Sequence, residues 1–204
     1  MREAWVIGAG GHAKVVIDAL RASGEFTVAG VLDDDPGRFG TAVLGASVLG
    51  DATRESVERL GIGWAILAIG SNRARAEAAA RLDGRVVWAS VVHPKAHIAP
   101  GARLGEGTLV LAGAIIQPDT TIGAHAILNT ACSVDHDCVI GDFAHVAPGA
   151  HLAGGVQIGE GVLIGLGSSL LPGRAVGAWA TVGAGCVVTR DIPPGVTARG
   201  IPAR

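Results

Sequence analysis

Three consecutive polar residues, Asp135, His136 and Asp137, stand in a segment that otherwise holds mostly aliphatic and small residues. An imidazole can accept a proton from a reacting group near neutral pH, and a neighbouring carboxylate orients the ring and raises its basicity. The pattern therefore predicts a general base at His136, with Asp137 or Asp135 as the carboxylate that supports it.

A second group of candidate residues lies in the turn at 8–12, Gly-Ala-Gly-Gly-His, which follows the first apolar segment. A glycine-rich turn between a strand and a helix points backbone N–H groups at an anion. An acidic residue about 20 positions later can bind a ribose hydroxyl, and Asp33 and Asp34 stand near that spacing. The turn fits the loose dinucleotide-binding fingerprint and indicates nucleotide binding; the alternative is an ordinary tight turn between strand and helix.

Neither a metal centre nor a covalent catalyst is predicted from the other histidines, serines and cysteines. No His-x-His or His-x3-His pair shares a face with acidic partners, so we expect no metal ion. No serine or cysteine has a matched base, which favours direct group transfer between two bound substrates over a covalent enzyme intermediate. Most of the remaining histidines are expected at the surface or in an interface: His93, His97, His125, His145 and His151.

The candidate base lies within a six-residue repeat that runs from Val92 to Val188 without insertion or deletion. Every sixth residue is Val, Ile or Leu, and the residue four places later is usually small. A period of six fits a short strand followed by a corner, and stacked coils of this kind form a parallel β-helix. Glycines at the second and fourth places are expected to make the corners, because glycine tolerates positive φ. The cysteines fill inward small places, where we expect buried, unreactive thiols: Cys132, Cys138 and Cys186.

The residues before the repeat show the alternation of strands and helices that is typical of a small α/β domain. The predicted strands are 4–9, 27–32, 64–69 and 85–88, and the predicted helices are 13–23, 53–60 and 73–82. This order predicts a parallel sheet with helices on its faces. We predict a Rossmann-like α/β half-domain at 1–90 and an all-β parallel β-helix at 91–204. The first part has room for one mononucleotide-binding half, which weighs against an NAD-linked oxidoreductase.

Composition and charge exclude several classes of partner. The 204 residues include 16 basic and 18 acidic side chains, for a net charge of −2, so no polyanion-binding face is indicated. Aromatic residues make up 3% of the chain, and we expect no base-stacking platform for nucleic acid. No apolar run reaches the ~18 residues of a membrane span, and the N-terminus leads into a strand rather than a signal peptide. Small, inward cysteines suggest the reducing cytoplasm.

The repeat and the N-terminal turn together resemble the PglD-like and NeuD-like nucleotide-sugar acetyltransferases, a branch of the hexapeptide-repeat acyltransferases. The likeness rests on Gly-Gly-His at 10–12, Leu-Asp-Asp at 32–34, Ala-Ile-Gly at 68–70, the segment 129–141 and the ending Gly-Ile-Pro-Ala-Arg at 200–204. The resemblance implies a left-handed parallel β-helix, a homotrimer, acetyl-CoA as co-substrate and a nucleotide sugar as acceptor. The family carries Glu where Asp135 and Asp137 stand in this chain, and Asp is shorter by one methylene.

The resemblance also implies roles for individual residues. His136 matches the family's general base, with Asp137 as the carboxylate beside it. His145, Leu166 and Ala184 match contacts to acetyl-CoA. The residues implied to contact the nucleotide sugar are Gly10, Gly11, His12, Asp33, Asp34, Gly70 and Asn129.

We therefore predict an N-acetyltransferase that transfers acetyl directly to the amino group of a UDP- or GDP-linked amino-deoxy sugar. One alternative is a sugar O-acetyltransferase of the sialic acid type, and another is a non-catalytic β-helix that binds or supports a partner. A homotrimer follows from placement, because one predicted face, 138–141, separates His136 from His145 within a chain. Outward apolar residues would also be covered in such an assembly: Ile127, Val139 and Leu163.

Overall fold

The computed structural model describes residues 1–204 and divides into two compact units, Met1–Val92 and His93–Arg204. This division falls two residues after the predicted boundary at 90/91. None of the helices has the length and apolar character that crossing a bilayer requires.

The first unit is built on a four-stranded parallel sheet with the strand order β2-β1-β5-β6. Helix α1 buries one face, formed by Ala13, Val16, Ile17 and Leu20, at the spacing of an amphipathic helix. The predicted βαβ order is present, and a short hairpin, β3–β4, was not predicted from the sequence. The elements of this unit are β1 (Arg2–Ile7), α1 (Gly11–Ser23), β2 (Phe26–Leu32), a 3-10 turn (Pro36–Arg38), β3 (Ala42–Val43), β4 (Ala46–Ser47), α2 (Arg54–Arg59), β5 (Trp64–Leu67), α3 (Asn72–Arg81), β6 (Val87–Trp88) and β7 (Val91–Val92).

The second unit is a solenoid of two-residue strands joined by corners, as the six-residue repeat predicts. As far as Val188, each strand pairs in parallel with the strand eighteen residues later, so Leu109 pairs with Ile127, and Ile127 pairs with His145. The last pair is sixteen residues apart, with Thr181 beside Thr197. Three repeats therefore make one coil. The strands are β8 (His97–Ile98), β9 (Arg103–Leu104), β10 (Leu109–Val110), β11 (Ile115–Ile116), β12 (Thr121–Ile122), β13 (Ile127–Leu128), β14 (Ser133–Val134), β15 (Val139–Ile140), β16 (His145–Val146), β17 (His151–Leu152), β18 (Gln157–Ile158), β19 (Leu163–Ile164), β20 (Ser169–Leu170), β21 (Ala175–Val176), β22 (Thr181–Val182), β23 (Val187–Val188) and β24 (Thr197–Ala198).

The solenoid strands stack into three parallel sheets around an aliphatic core. Within residues 93–204, the first sheet contains β10, β13, β16, β19, β22 and β24, the second contains β8, β11, β14, β17, β20 and β23, and the third contains β9, β12, β15, β18 and β21. From Val110 onwards, the aliphatic residue of each repeat points inward and is essentially inaccessible, as at Ile116, Leu128, Val134 and Val146. The three earlier ones, Val92, Ile98 and Leu104, are partly exposed. No coil could bury this row alone, so the stacking of coils stabilises the whole unit.

The corners are set by the fourth place of each repeat, where the backbone is left-handed even when the residue is not glycine. Asp137 has φ 60° and Phe143 has φ 57°. The prediction that second-place glycines share this conformation is wrong, because none of them has positive φ. A Cβ on Gly141 would lie 2.6 Å from the backbone nitrogen of Glu160, and one on Gly159 would lie 2.6 Å from that of Ala178. Second-place glycines are therefore required by the close approach of the next coil.

Two histidines that were expected at the surface are buried instead. His125 is 5% exposed, and its ring stacks on Phe143 of the next coil with centroids 5.1 Å apart. His93 is 9% exposed, and its Nδ1 accepts a hydrogen bond from the backbone N–H of Lys95 at 3.0 Å. The cysteines are buried free thiols, as predicted: Cys132, Cys138 and Cys186.

The predicted outward apolar residues divide into two groups. Val139 is 50% exposed and Leu163 is partly exposed, in agreement with the prediction. Ile127 is fully buried within the chain, so its expected exposure is wrong. Further exposed apolar side chains of the solenoid are Ile115, Leu166 and Leu171.

Candidate active site

His136 and Asp137 form a hydrogen-bonded pair at the corner between β14 and β15. The Nδ1 atom of His136 lies 2.7 Å from Oδ2 of Asp137, and both side chains are about two-thirds exposed, at 63% and 67%. A carboxylate only accepts hydrogen bonds, so Nδ1 carries the proton in this contact. In the neutral ring, Nε2 is then the free acceptor, which is the state that a general base requires.

The hydrogen bond that His136 donates to Asp137 raises the pKa of His136 above its ordinary value, and the charges of Asp137 and Asp135 act in the same direction. Partial desolvation opposes them and is a smaller effect than that hydrogen bond. The shorter Asp therefore reaches the imidazole, although the related family carries Glu at this position. The arrangement makes His136 a stronger base than an isolated histidine.

His145 and Asn129 are neighbours on adjacent coils of the first sheet and its corner. The Nδ2 atom of Asn129 lies 2.9 Å from Nε2 of His145, and the Oδ1 atom of Asn129 accepts from the backbone N–H of Thr130 at 2.8 Å. This second bond fixes the amide orientation, so the amide N–H donates to Nε2 and the neutral His145 carries its proton on Nδ1. The structure thus joins a residue predicted to contact sugar with one predicted to contact coenzyme A.

Leu166 and Ala184 occupy the same corner on successive coils, because β19 pairs in register with β22. Leu166 is 58% exposed, and its carbonyl accepts a hydrogen bond from the backbone N–H of Gly185 at 2.8 Å. Together with His145, these residues follow the first sheet and its corner towards the C-terminal end. An extended ligand arm could lie along this row.

The structure does not bring His136 and His145 together within one chain. His136 lies at the corner between the second and third sheets, whereas His145 lies on β16 of the first sheet. In a three-sided solenoid, the corner between two sheets faces away from the third sheet. Within one chain, His136 therefore lies at a different corner from Leu166 and Ala184 and faces away from the sheet that carries His145.

The predicted anion-binding turn lies between β1 and α1. Gly10 is the N-cap of α1 with extended backbone, and no side chain caps the helix. A Cβ at Gly10 or Gly11 would meet no atom within 4 Å. The first N–H groups of a helix have no partner within the helix, so this open turn can donate hydrogen bonds to an anion.

His12 is the second residue of α1 and lies close to the buried Arg75 of α3. Burial lowers the pKa of His12, and the positive charge of Arg75 lowers it further. Arg75 is 1% exposed, and its guanidinium donates to Ile69 O at 3.0 Å and to Asn72 Oδ1 at 2.9 Å. Burial lowers the pKa of Arg75 to about 10, so it remains a cation at neutral pH.

Arg75 was missed by the sequence analysis. It stands one helical turn before Ala78 and Ala79, which are also buried, and this spacing was the available signal. Gly70, which was predicted to contact the nucleotide sugar, is exposed at the end of the β5 segment, before the N-cap residue Ser71.

Asp33 and Asp34 make hydrogen bonds within the protein. Asp33 accepts from the backbone N–H of Ala9 at 2.5 Å and so fixes the turn after β1. Asp34 accepts from the backbone N–H of Ala52 at 3.1 Å and pairs with Arg81 at 2.7 Å. Both carboxylates line a cleft of about 210 Å³ with Gly8, Ile69 and Arg81. Arg81, which lines this cleft, is a second residue that sequence reasoning missed.

The other reactive side chains lack the features of a nucleophile. Burial raises the pKa of Cys132 to about 12 and also raises the pKa of Cys138. The expectation that no serine has a histidine partner is wrong, because Ser133 Oγ lies 2.8 Å from Nδ1 of His151 on the next coil. No carboxylate hydrogen-bonds to His151, so this pair lacks the third group that orients a catalytic base. No group of three or more His, Cys, Asp or Glu side chains is arranged to hold a metal ion.

Comparison with known proteins agrees with this architecture. The profile of the PglD N-terminal domain matches residues 3–82, and that of the bacterial transferase hexapeptide (six repeats) matches residues 137–171. The crystal structure of PerB from Caulobacter crescentus, in complex with CoA and GDP-perosamine, is 44% identical, with a TM-score of 0.93 over 100% of this chain and 97% of that chain. The acetyltransferase domain of PglB from Neisseria gonorrhoeae FA1090, in complex with acetyl coenzyme A, is 37% identical, with a TM-score of 0.90 over 100% of this chain and 98% of that chain.

A curated relative matches only in part. The UDP-N-acetylbacillosamine N-acetyltransferase of Bacillus subtilis (strain 168) is 39% identical over 113 residues, which are 55% of this chain and 52% of the relative. The match therefore spans about half the length of that relative. The fold and the site define a left-handed β-helix acyltransferase with an α/β N-terminal domain. Within that class, the chain belongs to the PglD-like nucleotide-sugar acetyltransferases.

Proposed function

We propose that this protein transfers the acetyl group of acetyl-CoA to the amino group of a nucleotide-linked amino-deoxy sugar. The main support for this activity is the His136–Asp137 pair, which holds an exposed imidazole with Nε2 available as a proton acceptor. The relatives PerB and the PglB domain, solved with CoA and GDP-perosamine and with acetyl coenzyme A, support the choice of substrates. The named N-acetyltransferase from Bacillus favours nitrogen over oxygen as the acceptor atom.

The proposed reaction is a direct transfer. The sugar amine attacks the thioester carbonyl carbon while Nε2 of His136 takes a proton from the nitrogen. The new C–N bond forms, the C–S bond breaks, and coenzyme A leaves as a thiolate that is then protonated. Asp137 stabilises the imidazolium that forms, since its carboxylate accepts from Nδ1. A backbone N–H near the thioester would stabilise the tetrahedral oxyanion.

We assign the nucleotide to the first unit, residues 1–90 in the predicted division. The uncapped α1 N-terminus at Gly10 and Gly11 supports phosphate binding there. His12, which is neutral at physiological pH because its pKa is lowered, can contact a phosphate or a sugar hydroxyl without adding charge. Asp33 and Asp34 line the adjacent cleft, and either can accept from a ribose hydroxyl. We also assign Gly70 and Asn129 as contacts to the nucleotide sugar.

We assign acetyl-CoA to the first sheet of the solenoid and its corner, with contacts from His145, Leu166 and Ala184. Because His136 faces away from the first sheet and lies at a different corner from Leu166 and Ala184, a complete site needs the His136 corner of one chain and the first sheet of another. Three prisms side by side form a closed homotrimer with three such shared sites. Exposed Val139 and Leu166 supply apolar surface for the contacts between chains or with ligand.

The proposed compartment is the reducing cytoplasm. The support is the chemistry of the cysteines, which are buried free thiols that would not need oxidising conditions to fold.

The function is tested by incubating the protein with acetyl-CoA and a panel of UDP- and GDP-linked amino sugars. Release of coenzyme A is followed with a thiol reagent, and the product is analysed by mass spectrometry. Matched sugars with a hydroxyl in place of the amine serve as the control. We expect turnover with at least one amino sugar and none with its hydroxyl counterpart.

The same assay separates the alternatives. An acetylated product that hydroxylamine cleaves would indicate an ester and therefore an O-acetyltransferase. Tight binding of a nucleotide sugar without coenzyme A release from any member of the panel would indicate a non-catalytic binding protein.

A further inference from the structure

Gly154 stands at a place in the repeat where no other glycine occurs. The third places of the repeats between Val92 and Val188 carry Pro, Ala, Glu, Thr, His, Asp, Leu or Arg, and Gly154 is the one exception. Because β14 pairs in register with β17, Gly154 lies directly beside His136 on the next coil. The backbone N–H of Gly155 donates to the carbonyl of His136 at 2.9 Å and holds the two corners in contact.

The backbone at Gly154 does not itself require glycine. Its φ lies outside the left-handed region, unlike that of Gly155 at 70°. A Cβ built on Gly154 would lie 2.6 Å from Cε1 and 2.7 Å from Nε2 of His136, and its third nearest atom is Nδ1 of the same ring at 3.2 Å. The imidazole therefore occupies the space immediately around a Cβ at position 154.

This differs from the second-place glycines, whose missing side chains make room for backbone. At Gly141, the nearest atoms to an added Cβ are the backbone of Glu160 and Gly159, so any substitution would push coils apart. At Gly154, the obstacle is the free end of a flexible side chain. Any substitution there moves the ring and leaves the coil in place.

We propose that Gly154 is a positioning residue for His136, an inference that rests on the proposed function. The absence of a side chain at 154 lets the imidazole lie against the next coil while Asp137 holds Nδ1. The ring is thereby fixed from two directions, although 63% of the side chain is exposed. An exposed histidine held in this way keeps Nε2 in one direction, which a proton acceptor requires for efficient transfer.

The test is Gly154→Ala, with Gly63→Ala as a matched control. Gly63 also lacks positive φ, and a Cβ there meets no atom within 4 Å. The added methyl at 154 should displace the imidazole with little change in melting temperature. We expect kcat to fall about tenfold to hundredfold, since misplacement by ~1 Å can cost that much, while KM for acetyl-CoA stays within twofold of the wild-type value.

A second readout does not depend on activity. The ring signals of His136, assigned by their loss in His136→Ala, are titrated by NMR in the wild type and in Gly154→Ala. We expect the displaced ring to lose part of its bond to Asp137, so its pKa should fall towards the ordinary value. Asp135 and Asp137 are the charged groups that face the ring, and neither is altered.

The possible results distinguish the positioning role of Gly154 from the catalytic role of His136. An unchanged His136 titration together with an unchanged kcat would overturn the role of Gly154. A changed titration with an unchanged kcat would confirm that Gly154 places the ring and would instead remove His136 from the proposed mechanism. In the double variant His136→Ala/Gly154→Ala, the methyl has no ring to displace, so its kcat should equal that of His136→Ala. If Gly154→Ala fails to fold, a folded double variant supports the proposal, and an unfolded one shows that glycine serves the coil itself.

Discussion

The imidazole of His136 donates a hydrogen bond from Nδ1 to Oδ2 of Asp137, the next residue in the chain, over 2.7 Å. The left-handed backbone at Asp137, with φ 60°, accompanies this contact at the corner. Asp is among the few non-glycine residues that adopt this conformation readily. One residue therefore makes the corner and supports the base.

Replacing Asp137 with Asn should move the acidic limb of the kcat/KM profile to lower pH. His136 acts as a base only when neutral, so the rate rises as pH passes through the pKa of His136 in the free enzyme. The hydrogen bond and charge of Asp137 raise that pKa, so their loss lowers it. The plateau at high pH should fall too, because the less basic imidazole is a weaker catalyst. The measurement is kcat/KM for the amino sugar across pH.

Asp135→Asn is the matched control for this shift. Asp135 raises the pKa of His136 through charge alone and is the smallest of the contributions. Its replacement should move the acidic limb less than Asp137→Asn does. A limb that stays fixed in Asp137→Asn would mean that another group limits the rate at low pH.

Removing the base altogether should lower kcat by ~10²–10⁴-fold, the usual contribution of general-base catalysis. His136→Ala should keep its melting temperature, because the ring is exposed and contributes little to the core. His97→Ala provides the comparison, since His97 is exposed at the outward place of β8. A His136→Ala enzyme within a few-fold of wild type would exclude His136 from proton transfer.

Much of the fold could be predicted because the aliphatic residue at every sixth position shows the register of the repeat directly. The register at Val134 and Ile140 predicted the two strands that flank His136, and both lie there. The contacts that were missed join residues eighteen positions apart, such as His125 with Phe143 and Ser133 with His151. Neither is visible within one repeat, because the partner belongs to the next coil.

The candidate site in the first unit was predicted only in outline. The glycine turn and the acidic pair predicted Gly10, Gly11, Asp33 and Asp34 as site residues. The arginine that pairs with Asp34 belongs to α3 and was not predicted. The spacing of Arg75 with Ala78 and Ala79 indicates burial, but the proximity of Arg75 to His12 and of Arg81 to Asp34 arises from tertiary packing, for which the sequence carries no local signal. Aligning the repeats at three times their period would have found the neighbours within the solenoid.

Gly11→Val should raise KM for the nucleotide sugar and leave acetyl-CoA binding unchanged. The fold has room for the side chain, as a Cβ at Gly11 meets no atom within 4 Å and φ there is not positive. A branched side chain would still block a phosphate from approaching the helix N-terminus. Calorimetry with each ligand makes the measurement, and Gly63→Val is the control with equally open space. Loss of acetyl-CoA binding with intact sugar binding would reverse the two assigned sites.

Mixing His136→Ala with His145→Ala should restore activity if sites are shared between chains. The variants are dissociated, combined in equal amounts and reassociated, with distinct mass tags to identify mixed trimers. Random assortment gives both intact histidines to about a quarter of the sites in a cyclic trimer. Mixing either variant with the double variant His136→Ala/His145→Ala should restore nothing.

Two results would contradict the shared site. Mixed trimers without recovered activity would place both histidines of a site in one chain. A fully active monomer in sedimentation would contradict the assembly itself.

The register from Val92 to Val188 is unbroken, and each strand pairs eighteen residues further on. Inserting or deleting one residue would turn every later inward side chain outward, so the solenoid can change length only by whole coils or by loops that leave and rejoin at a corner. A duplicated coil before Gly123 would lengthen the prism and leave the His136–Asp137 and Asn129–His145 contacts unaltered. The length of the solenoid can thus vary by whole coils without any change in the residues of the candidate active site.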